Sequence, residues 1–437
     1  MGLPEDLGLG VGDLVRVRKG DIVYEGIVMP KHSYSAPDIL VIKLGSGYNI
    51  GVRIDGNTYI EVISRRKPVD QRQRIGSPAL KSPGSSVKVI GTGGTIASKV
   101  EYDTGAVRPA MTPEELLEII PEAGEVASID VEIIMSILSE NMEPEYWERI
   151  ADAVYRSMVS GYDGIVVTHG TDTMGYTASA IAFAIQDMRT PVVFVGSQRS
   201  SDRPSTDAAL NFIGALIAAS KAPFAESVVA MHMSTSDTEI AIHRGTRVRK
   251  MHTSRRDAFQ SINARPIAAV DPYRRSIRII DNSYRPRNKG EPRLLNGFER
   301  KVALIYSYPG IEPEIIEMLI DKKYRGIVIA GTGFGHVPEK LIPTLKRAAE
   351  EGIPVAITSQ TLHGRVNLMI YTTGREMLRA GVIPCEDMLP ETAYVKLSWI
   401  LRRTRDPNEV RRLMLTNIAG EISPRHDIDL YTTPDRS

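Results

Sequence analysis

The sequence predicts an α/β protein with a small N-terminal β-barrel-like domain, a large parallel α/β domain and a smaller C-terminal α/β domain. Up to residue 63, short segments alternate apolar and polar residues between glycines, as in small antiparallel β domains. Beyond residue 86, apolar strands alternate with helix-length segments, which is typical of βαβ units. The length of 437 residues accommodates three such units. We place them at residues 1–80, 81–285 and 286–437.

The N-terminal domain is predicted to consist of short strands joined by turns. The alternation places these strands at residues 14–17, 23–28, 39–42, 48–52 and 59–62. The following segment, from residue 65 to residue 86, is rich in proline, glycine, serine and cations and has no apolar period. Such a composition is typical of a linker.

Three apolar strands of the large domain each lead into a polar turn. They are predicted at residues 87–90, 164–167 and 192–195. Parallel strands present their carboxyl ends at one edge of the sheet, where open α/β sheets bind ligands. We therefore expect the active site at that edge.

The C-terminal domain repeats the same strand and helix pattern on a smaller scale. An irregular stretch at residues 281–300 precedes strands predicted at 302–306, 326–330 and 354–358. Helices are predicted at residues 391–403 and 407–416.

Composition excludes several classes of function. A net charge of +1 gives no overall basic field of the kind expected of a non-specific nucleic-acid binder. One cysteine, Cys385, forms neither an intrachain disulfide nor a thiolate zinc cluster, and none of the eight histidines forms a metal-binding pair, so we expect no metal. No targeting segment or membrane-length apolar run is evident, which predicts a cytoplasmic location without membrane contact.

Basic clusters occur at three places despite the near-zero net charge. We interpret most of them as solvated faces or helix C-terminal charges, with RNA or partner contact as the alternative. They are Arg65 to Arg74, Arg285 to Arg293, and Arg402 to Arg412.

The first polar turn, GTGGTIAS at residues 91–98, does not fit the common nucleotide-binding motifs. In a G-x-G-x-x-G fingerprint beginning at Gly91, the third glycine would fall on Ile96, and no Lys-Ser/Thr pair follows the glycines. What remains is a turn whose glycines allow backbone N–H groups to approach a ligand, with the Thr95 hydroxyl at its tip. This combination suits acyl chemistry.

The second polar turn, THGTDTM at residues 168–174, has two interpretations. Thr171 and Asp172 precede a helical segment and could cap its N-terminus. Taken alone, His169 is interpreted as a packing or hydrogen-bonding residue, and Lys250 as an exposed cation in a basic loop. A catalytic role for these residues needs further support.

That support comes from the two turns together. GTGGTIAS and THGTDTM jointly resemble the signatures of the L-asparaginase/glutaminase family of the two-threonine type, which implies an asparaginase-like large domain. By matching motif positions, the resemblance implies that Thr95 is the nucleophile that attacks the side-chain carboxamide. It also implies that Thr171, Asp172 and Lys250 form the second catalytic group.

The same resemblance implies a substrate-binding set. Ser139 and Glu140, in SILSENMEPEYW, match a substrate-binding pair, although many family members have glutamine where Glu140 stands. The turns at Gly94 and Gly170 would supply backbone N–H groups to the substrate oxyanion. Tyr102 is the nearest candidate for the tyrosine that the family has in the loop after the nucleophile.

The chemical properties of threonine, lysine and aspartate determine what each of these residues would have to do. A threonine hydroxyl is a weak nucleophile at neutral pH, so Thr95 needs a proton relay, either through Tyr102 or through Thr171 with Lys250. Lys250 accepts a proton only when it is neutral, and the sequence leaves its protonation state open. Asp172 would hold the α-ammonium group of an amino-acid substrate.

The N-terminal segments YEGIVMP and LVIKLGSGYNIG are similar to the N-terminal domain found in the D subunits of archaeal-type glutamyl-tRNA(Gln) amidotransferases. This resemblance implies an amidohydrolase subunit that releases ammonia from glutamine or asparagine. A partner, the E subunit, would use ATP and Mg²⁺ to convert Glu-tRNA(Gln) to Gln-tRNA(Gln), while this chain would bind no cofactor. It also implies a homodimer of this chain within a heterotetramer.

Two other functions remain open at this point. One is a stand-alone L-asparaginase whose extra domain only stabilises an oligomer. The other is a non-catalytic adaptor that uses the same fold to bind a partner or RNA.

Overall fold

The structure of the protein is a computed structural model in which part of the chain is described. The described residues are 8–10, 12–29, 36, 38–44, 49–65, 84–94, 98–100, 107–109, 120–199, 206–288, 290–425 and 430. Most of the predicted linker, residues 66–83, therefore lies outside them. The predicted α/β class with a β-rich N-terminal region is confirmed.

The N-terminal region forms a five-stranded antiparallel sheet in the order β4-β3-β2-β1-β5. Val15 and Val17 of the strand Leu14–Lys19 are buried, whereas Arg16 between them pairs with Glu25 and Glu61 on the two flanking strands. This alternation is the period of two that the sequence shows. The strands are β1 (Leu14–Lys19), β2 (Ile22–Val28), β3 (Ile39–Leu44), β4 (Asn49–Arg53) and β5 (Thr58–Ser64).

The large domain is built on an eight-stranded sheet in the order β18-β17-β14-β13-β12-β10-β6-β9. Its strands are β6 (Ser86–Gly93), β9 (Ser128–Ile137), β10 (Gly164–Thr168), β12 (Val192–Val195), β13 (Ser227–His232), β14 (Ile240–Arg244), β17 (Ala268–Asp271) and β18 (Ser276–Ile279). Short two-stranded pairs are formed by β7 (Ser98–Val100) with β8 (Val107–Pro109), β11 (Ile185–Gln186) with β19 (Arg293–Leu294), and β15 (Val248–Lys250) with β16 (Phe259–Ser261).

The sequence predicts a mostly parallel large sheet, and the sheet has a parallel part and an antiparallel part. β9, β6, β10, β12 and β13 run parallel, but β14, β17 and β18 are antiparallel to their neighbours. The connection between His232 and Ile240 is too short for a crossover helix, so β14 turns back beside β13.

Helices cover both faces of this sheet. Ile165 and Val167 of β10 pack in the same cluster as residues of two helices, α1 (Pro144–Val159) and α2 (Met174–Ala184). Val166, between them, packs on the opposite face in the cluster that contains α3 (Ala208–Lys221). Burial on both faces explains why these strands are continuous apolar runs.

The C-terminal domain has a four-stranded parallel sheet in the order β20-β21-β22-β23. Its strands are β20 (Val302–Tyr306), β21 (Gly326–Gly331), β22 (Val355–Ser359) and β23 (Ile383–Pro384). Its helices are α4 (Glu314–Asp321), α5 (Ile342–Glu350), α6 (Thr372–Arg379), α7 (Pro390–Leu401) and α8 (Pro407–Met414). Helix α7 belongs to the same apolar cluster as α2, which joins this domain to the large one.

Four short 3-10 helices complete the described secondary structure. They are Pro121–Glu125, Ser139–Asn141, Gly245–Arg247 and Glu339–Leu341. Among the described helices, none is both long and apolar enough to cross a membrane.

Candidate active site

Three turns meet at the carboxyl edge of the large sheet, and glycines allow them to approach. A Cβ atom on Gly94, which follows β6, would lie 3.0 Å from the carbonyl carbon of His169, which follows β10. A Cβ atom on Gly170 would lie 2.7 Å from the Cβ of Ser139, which follows β9. Gly94 also has a φ of +77°, a conformation that favours glycine. Any larger residue at Gly170 would separate the turns.

Lys250 connects two residues of the second turn. Its Nζ donates to Thr171 Oγ1 at 2.9 Å and to Asp172 Oδ1 at 2.7 Å. The Lys250 side chain, at the end of β15, is 15% exposed, while that of Asp172 is 64% exposed. The interpretation of Lys250 as an exposed cation in a basic loop is therefore wrong. Its ammonium group lies between a hydroxyl and a carboxylate.

Helix capping does not account for Thr171 and Asp172. Helix α2 begins at Met174 with Thr173 as its N-cap residue, and no side chain caps this helix. Thr173 Oγ1 instead donates to the Ser139 carbonyl oxygen at 2.7 Å, which ties the second turn to the turn after β9. Thr173 is not among the predicted site residues, although it is the third hydroxyl residue of the same turn, after Thr168 and Thr171.

The other predicted site residues are placed as follows. Ser139 is buried in a 3-10 helix against Gly170, while the neighbouring Glu140 is exposed. Gly94 is the last described residue of its turn, and Thr95 and Tyr102 lie outside the described residues.

The C-terminal domain contacts the strand that carries Lys250. Arg249 Nε lies 3.3 Å from Glu391 Oε1 at the start of α7, and its Nη2 donates to Tyr306 Oη at 3.4 Å. Glu391 and Tyr306 together raise the pKa of the Arg249 guanidinium, although burial alone would lower it. Arg249 thus connects β15 to the smaller domain.

The described part of the site is polar. Within the described part of the chain, no group of three or more histidine, cysteine, aspartate or glutamate side chains could hold a metal ion. The described turns bring hydroxyl, ammonium, carboxylate and backbone groups together at one edge of the sheet, which suits acyl transfer from an amide.

Family models and solved structures define the class. The model "Asparaginase, N-terminal" matches residues 86–284, and "Glutaminase/Asparaginase C-terminal domain" matches residues 301–414. The thermostable L-asparaginase from Thermococcus kodakarensis has a TM-score of 0.70 at 36% identity and covers 78% of this chain and 100% of its own. L-asparaginase I from Vibrio cholerae has a TM-score of 0.67 at 30% identity, covering 78% of this chain and 99% of its own. The family models and the fold are those of an asparaginase-like amidohydrolase.

The N-terminal region, residues 9–63, matches the model "GatD N-terminal domain". The D subunit of glutamyl-tRNA(Gln) amidotransferase from Thermococcus kodakarensis is 53% identical, covering 97% of both chains, and that from Pyrococcus horikoshii is 52% identical, covering 98% of both. The chain belongs to the family of glutamyl-tRNA(Gln) amidotransferase D subunits. Similarity over nearly the whole length favours an amidotransferase subunit over a stand-alone asparaginase.

Proposed function

We propose that this chain releases ammonia from glutamine or asparagine for a tRNA-dependent amidotransferase. The observation that carries this proposal is the pair of hydrogen bonds from Lys250 to Thr171 and Asp172, in the turn that approaches Gly94. Family membership adds the amidotransferase context.

The proposed reaction begins at Thr95. Its hydroxyl oxygen attacks the side-chain carboxamide carbon, and the carbonyl oxygen becomes an oxyanion held by backbone N–H groups near Gly94 and Gly170. The C–N bond then breaks, and the nitrogen takes up a proton and leaves as ammonia. Water hydrolyses the acyl-threonine to the free acid and restores the Thr95 hydroxyl.

Thr171 and Lys250 are proposed to move the proton. The Lys250 ammonium group donates to Thr171 Oγ1, so the Thr171 hydroxyl keeps its own proton for another acceptor. Deprotonated Lys250 would instead accept that proton, making Thr171 a relay between Lys250 and the reacting atoms. Tyr102 is the alternative relay to Thr95.

The α-ammonium group of the substrate is proposed to bind the carboxylate of Asp172. One oxygen of Asp172 pairs with Lys250, yet the carboxylate remains largely exposed and can accept from an α-ammonium group. Ser139 and Glu140 would complete the substrate contacts, since the turn that carries them packs against Gly170.

We further propose the assembly and the location. The ammonia would pass to the E subunit, which would bind Glu-tRNA(Gln) and use ATP with Mg²⁺ to make Gln-tRNA(Gln), while this chain binds no cofactor. Two copies of the chain would form the homodimer of a cytoplasmic heterotetramer. The domain divisions near residues 80 and 285 remain predictions.

The test is an ammonia-release assay of the full chain with glutamine and with asparagine, alone and with the E subunit and Glu-tRNA(Gln). We expect glutaminase turnover to rise strongly when both are added. Rapid hydrolysis that is independent of both would support a stand-alone asparaginase, and no hydrolysis under any of these conditions would support an adaptor.

A further inference from the structure

His169 is the second residue of the second turn, and its side chain is buried. It follows β10, is 1% exposed, and its backbone N–H donates to the Val195 carbonyl of the neighbouring strand at 2.9 Å. Its imidazole Nδ1 is 2.6 Å from the Gly170 carbonyl oxygen, and its Nε2 is 2.9 Å from Thr177 Oγ1 in α2. Both ring nitrogens therefore have a partner.

These partners determine the tautomer. A carbonyl oxygen only accepts, so Nδ1 must carry the proton that it donates to Gly170. Nε2 then accepts from the Thr177 hydroxyl when the ring is neutral. Burial lowers the pKa of the His169 imidazole to about 4, so the ring is neutral near pH 7.

Gly170 needs such an external constraint. Any side chain there would collide with Ser139, so the position requires glycine, which has the greatest backbone freedom. Holding its carbonyl oxygen fixes the plane of the Gly170–Thr171 peptide. Because a trans peptide has its C=O and N–H antiparallel, the Thr171 N–H points away from the buried ring.

We propose that His169 is a positioning residue that orients Thr171 by holding the Gly170 carbonyl through its Nδ1–H. The proposal rests on the amidohydrolase function above, since Thr171 is the residue it places toward Lys250. His169 itself contacts neither Lys250 nor Asp172 through any described hydrogen bond.

Two variants distinguish this positioning role from a purely structural role of the buried ring. In H169N the amide nitrogen takes approximately the place of Nδ1 and can still donate to Gly170. In H169Q the amide nitrogen lies near the place of Nε2, so the Gly170 bond is lost. Both variants remove the same buried ring, so their losses of stability should be similar.

We expect H169N to keep kcat within about threefold of the wild type, and H169Q to lose about tenfold or more in kcat with KM little changed. Thermal denaturation gives the melting temperatures of both variants and checks that their losses of stability are similar. Equal activities of the two variants, or a more active H169Q, would overturn the proposal.

Nitrogen NMR of the histidine-labelled wild type tests the same claim without turnover. The His169 signal, assigned by its loss in H169N, should show a protonated Nδ1 and an unprotonated Nε2 near pH 7. A protonated Nε2 would overturn the proposal even if the enzyme is active. Failure of the amidohydrolase function would appear differently, as absence of ammonia release by the wild type.

Discussion

Thr171 is the residue whose hydroxyl oxygen accepts a hydrogen bond from Lys250. Replacing it by valine preserves the volume and the branched shape but removes the acceptor of the Lys250 bond. We expect T171V to fold and to release ammonia at least about a hundredfold more slowly, since relay steps of this kind contribute about 10²–10⁴ in rate. Steady-state ammonia release with glutamine and asparagine measures this.

T190V is the matched control. Thr190 is buried before β12 and its Oγ1 has no hydrogen-bond partner, so this substitution removes a hydroxyl that contributes to no described contact. Its turnover should stay near that of the wild type. Near-normal turnover of T171V as well would remove Thr171 from the catalytic group.

The lowered pKa values of two buried histidines predict how the free energy of unfolding depends on pH. Burial lowers the pKa of His169 and of His243 to about 4, below the unfolded value of about 6.5. A depressed histidine pKa contributes stability that is complete above pH 6.5 and is lost as the pH falls from there toward 4. Between pH 7 and pH 5.5 each should lower the free energy of unfolding by about 1 kcal/mol.

Chemical denaturation at pH 7 and pH 5.5 measures this loss, in a window where exposed carboxylates are little protonated. The H169N variant serves as the control, because it should lose less stability than the wild type over the same interval. An identical loss in the two proteins would contradict the neutral state of His169.

At the residue scale, local sequence could not identify the Lys250 contacts. The partners of Lys250 lie 79 and 78 residues earlier in the chain, in a different strand and turn. Only the family resemblance singled out Lys250, while its basic neighbours indicated an exposed loop. The glycine and hydroxyl residues of the two turns were the sequence feature that indicated the site. Where two backbone segments approach closely, only glycine fits, so the sequence itself reflects the contact.

At the scale of elements, buried strands were the most predictable feature. The predicted strand at residues 302–306 coincides with β20, and that at residues 192–195 coincides with β12. Strand direction was not predictable for β14, β17 and β18, because an apolar run has the same appearance in either direction. Connection length was the signal that could have revealed the reversal at β14.

The basic clusters were interpreted mainly as solvated faces or helix C-terminal charges. Several of their arginines are exposed, including Arg285, Arg293 and Arg412, while the first cluster, after Arg65, lies outside the described residues. Two arginines, however, are half-buried between elements. Arg287 donates to the carbonyl oxygens of Asp163, Ala219 and Ala222. Arg403 donates to the carbonyl oxygens of Gly297 and Asn296. These guanidinium groups satisfy backbone acceptors between elements, which composition alone does not reveal.

Arg249 should act through β15 on Lys250. R249M removes the contacts with Glu391 and Tyr306 that connect β15 to the smaller domain. We expect kcat/KM for ammonia release to fall by about three- to tenfold, because a small displacement of Lys250 weakens its bonds to the second turn. R249K, which keeps the charge, should retain more of the activity, and equal kcat/KM for wild type and R249M would exclude this role.

At the scale of the whole molecule, one buried ion pair joins α7 to the C-terminal segment. Lys396 Nζ lies 2.6 Å from Glu421 Oε1, and both side chains are 0% exposed. Burial lowers the pKa of Lys396, while Glu421 opposes that shift. Glu421 also accepts from the backbone N–H groups of Ile418 and Ala419.

Breaking this pair from one side should be strongly destabilising. E421Q leaves an uncompensated buried ammonium group and should lower the free energy of unfolding by about 3–5 kcal/mol. The double variant K396M/E421Q removes both charges and keeps an acceptor for the backbone, so it should be more stable than E421Q. Denaturant midpoints of the wild type, both single variants and the double variant measure this, and additive losses would contradict the pairing.

The order of the domains along the chain was predictable, but the packing of the smaller domain against the large one was not. Helix α7 follows the strands of the smaller domain in sequence, yet its Thr392 Oγ1 donates to the Thr246 carbonyl of the large domain at 2.9 Å. Its apolar residues share a core with α2. An all-round apolar helix indicates burial, but its sequence does not say against which domain.

We propose that the hydroxyl-bearing turns after β6 and β10 form one amide-hydrolysing site. The most direct measurement is covalent labelling of the wild-type chain with an electrophilic diazoketone analogue of glutamine, followed by peptide mass spectrometry. We predict a single adduct on Thr95 that excess glutamine prevents and that forms more slowly in T171V. A protein that releases ammonia from glutamine while the label maps to a residue outside these two turns would contradict the claim.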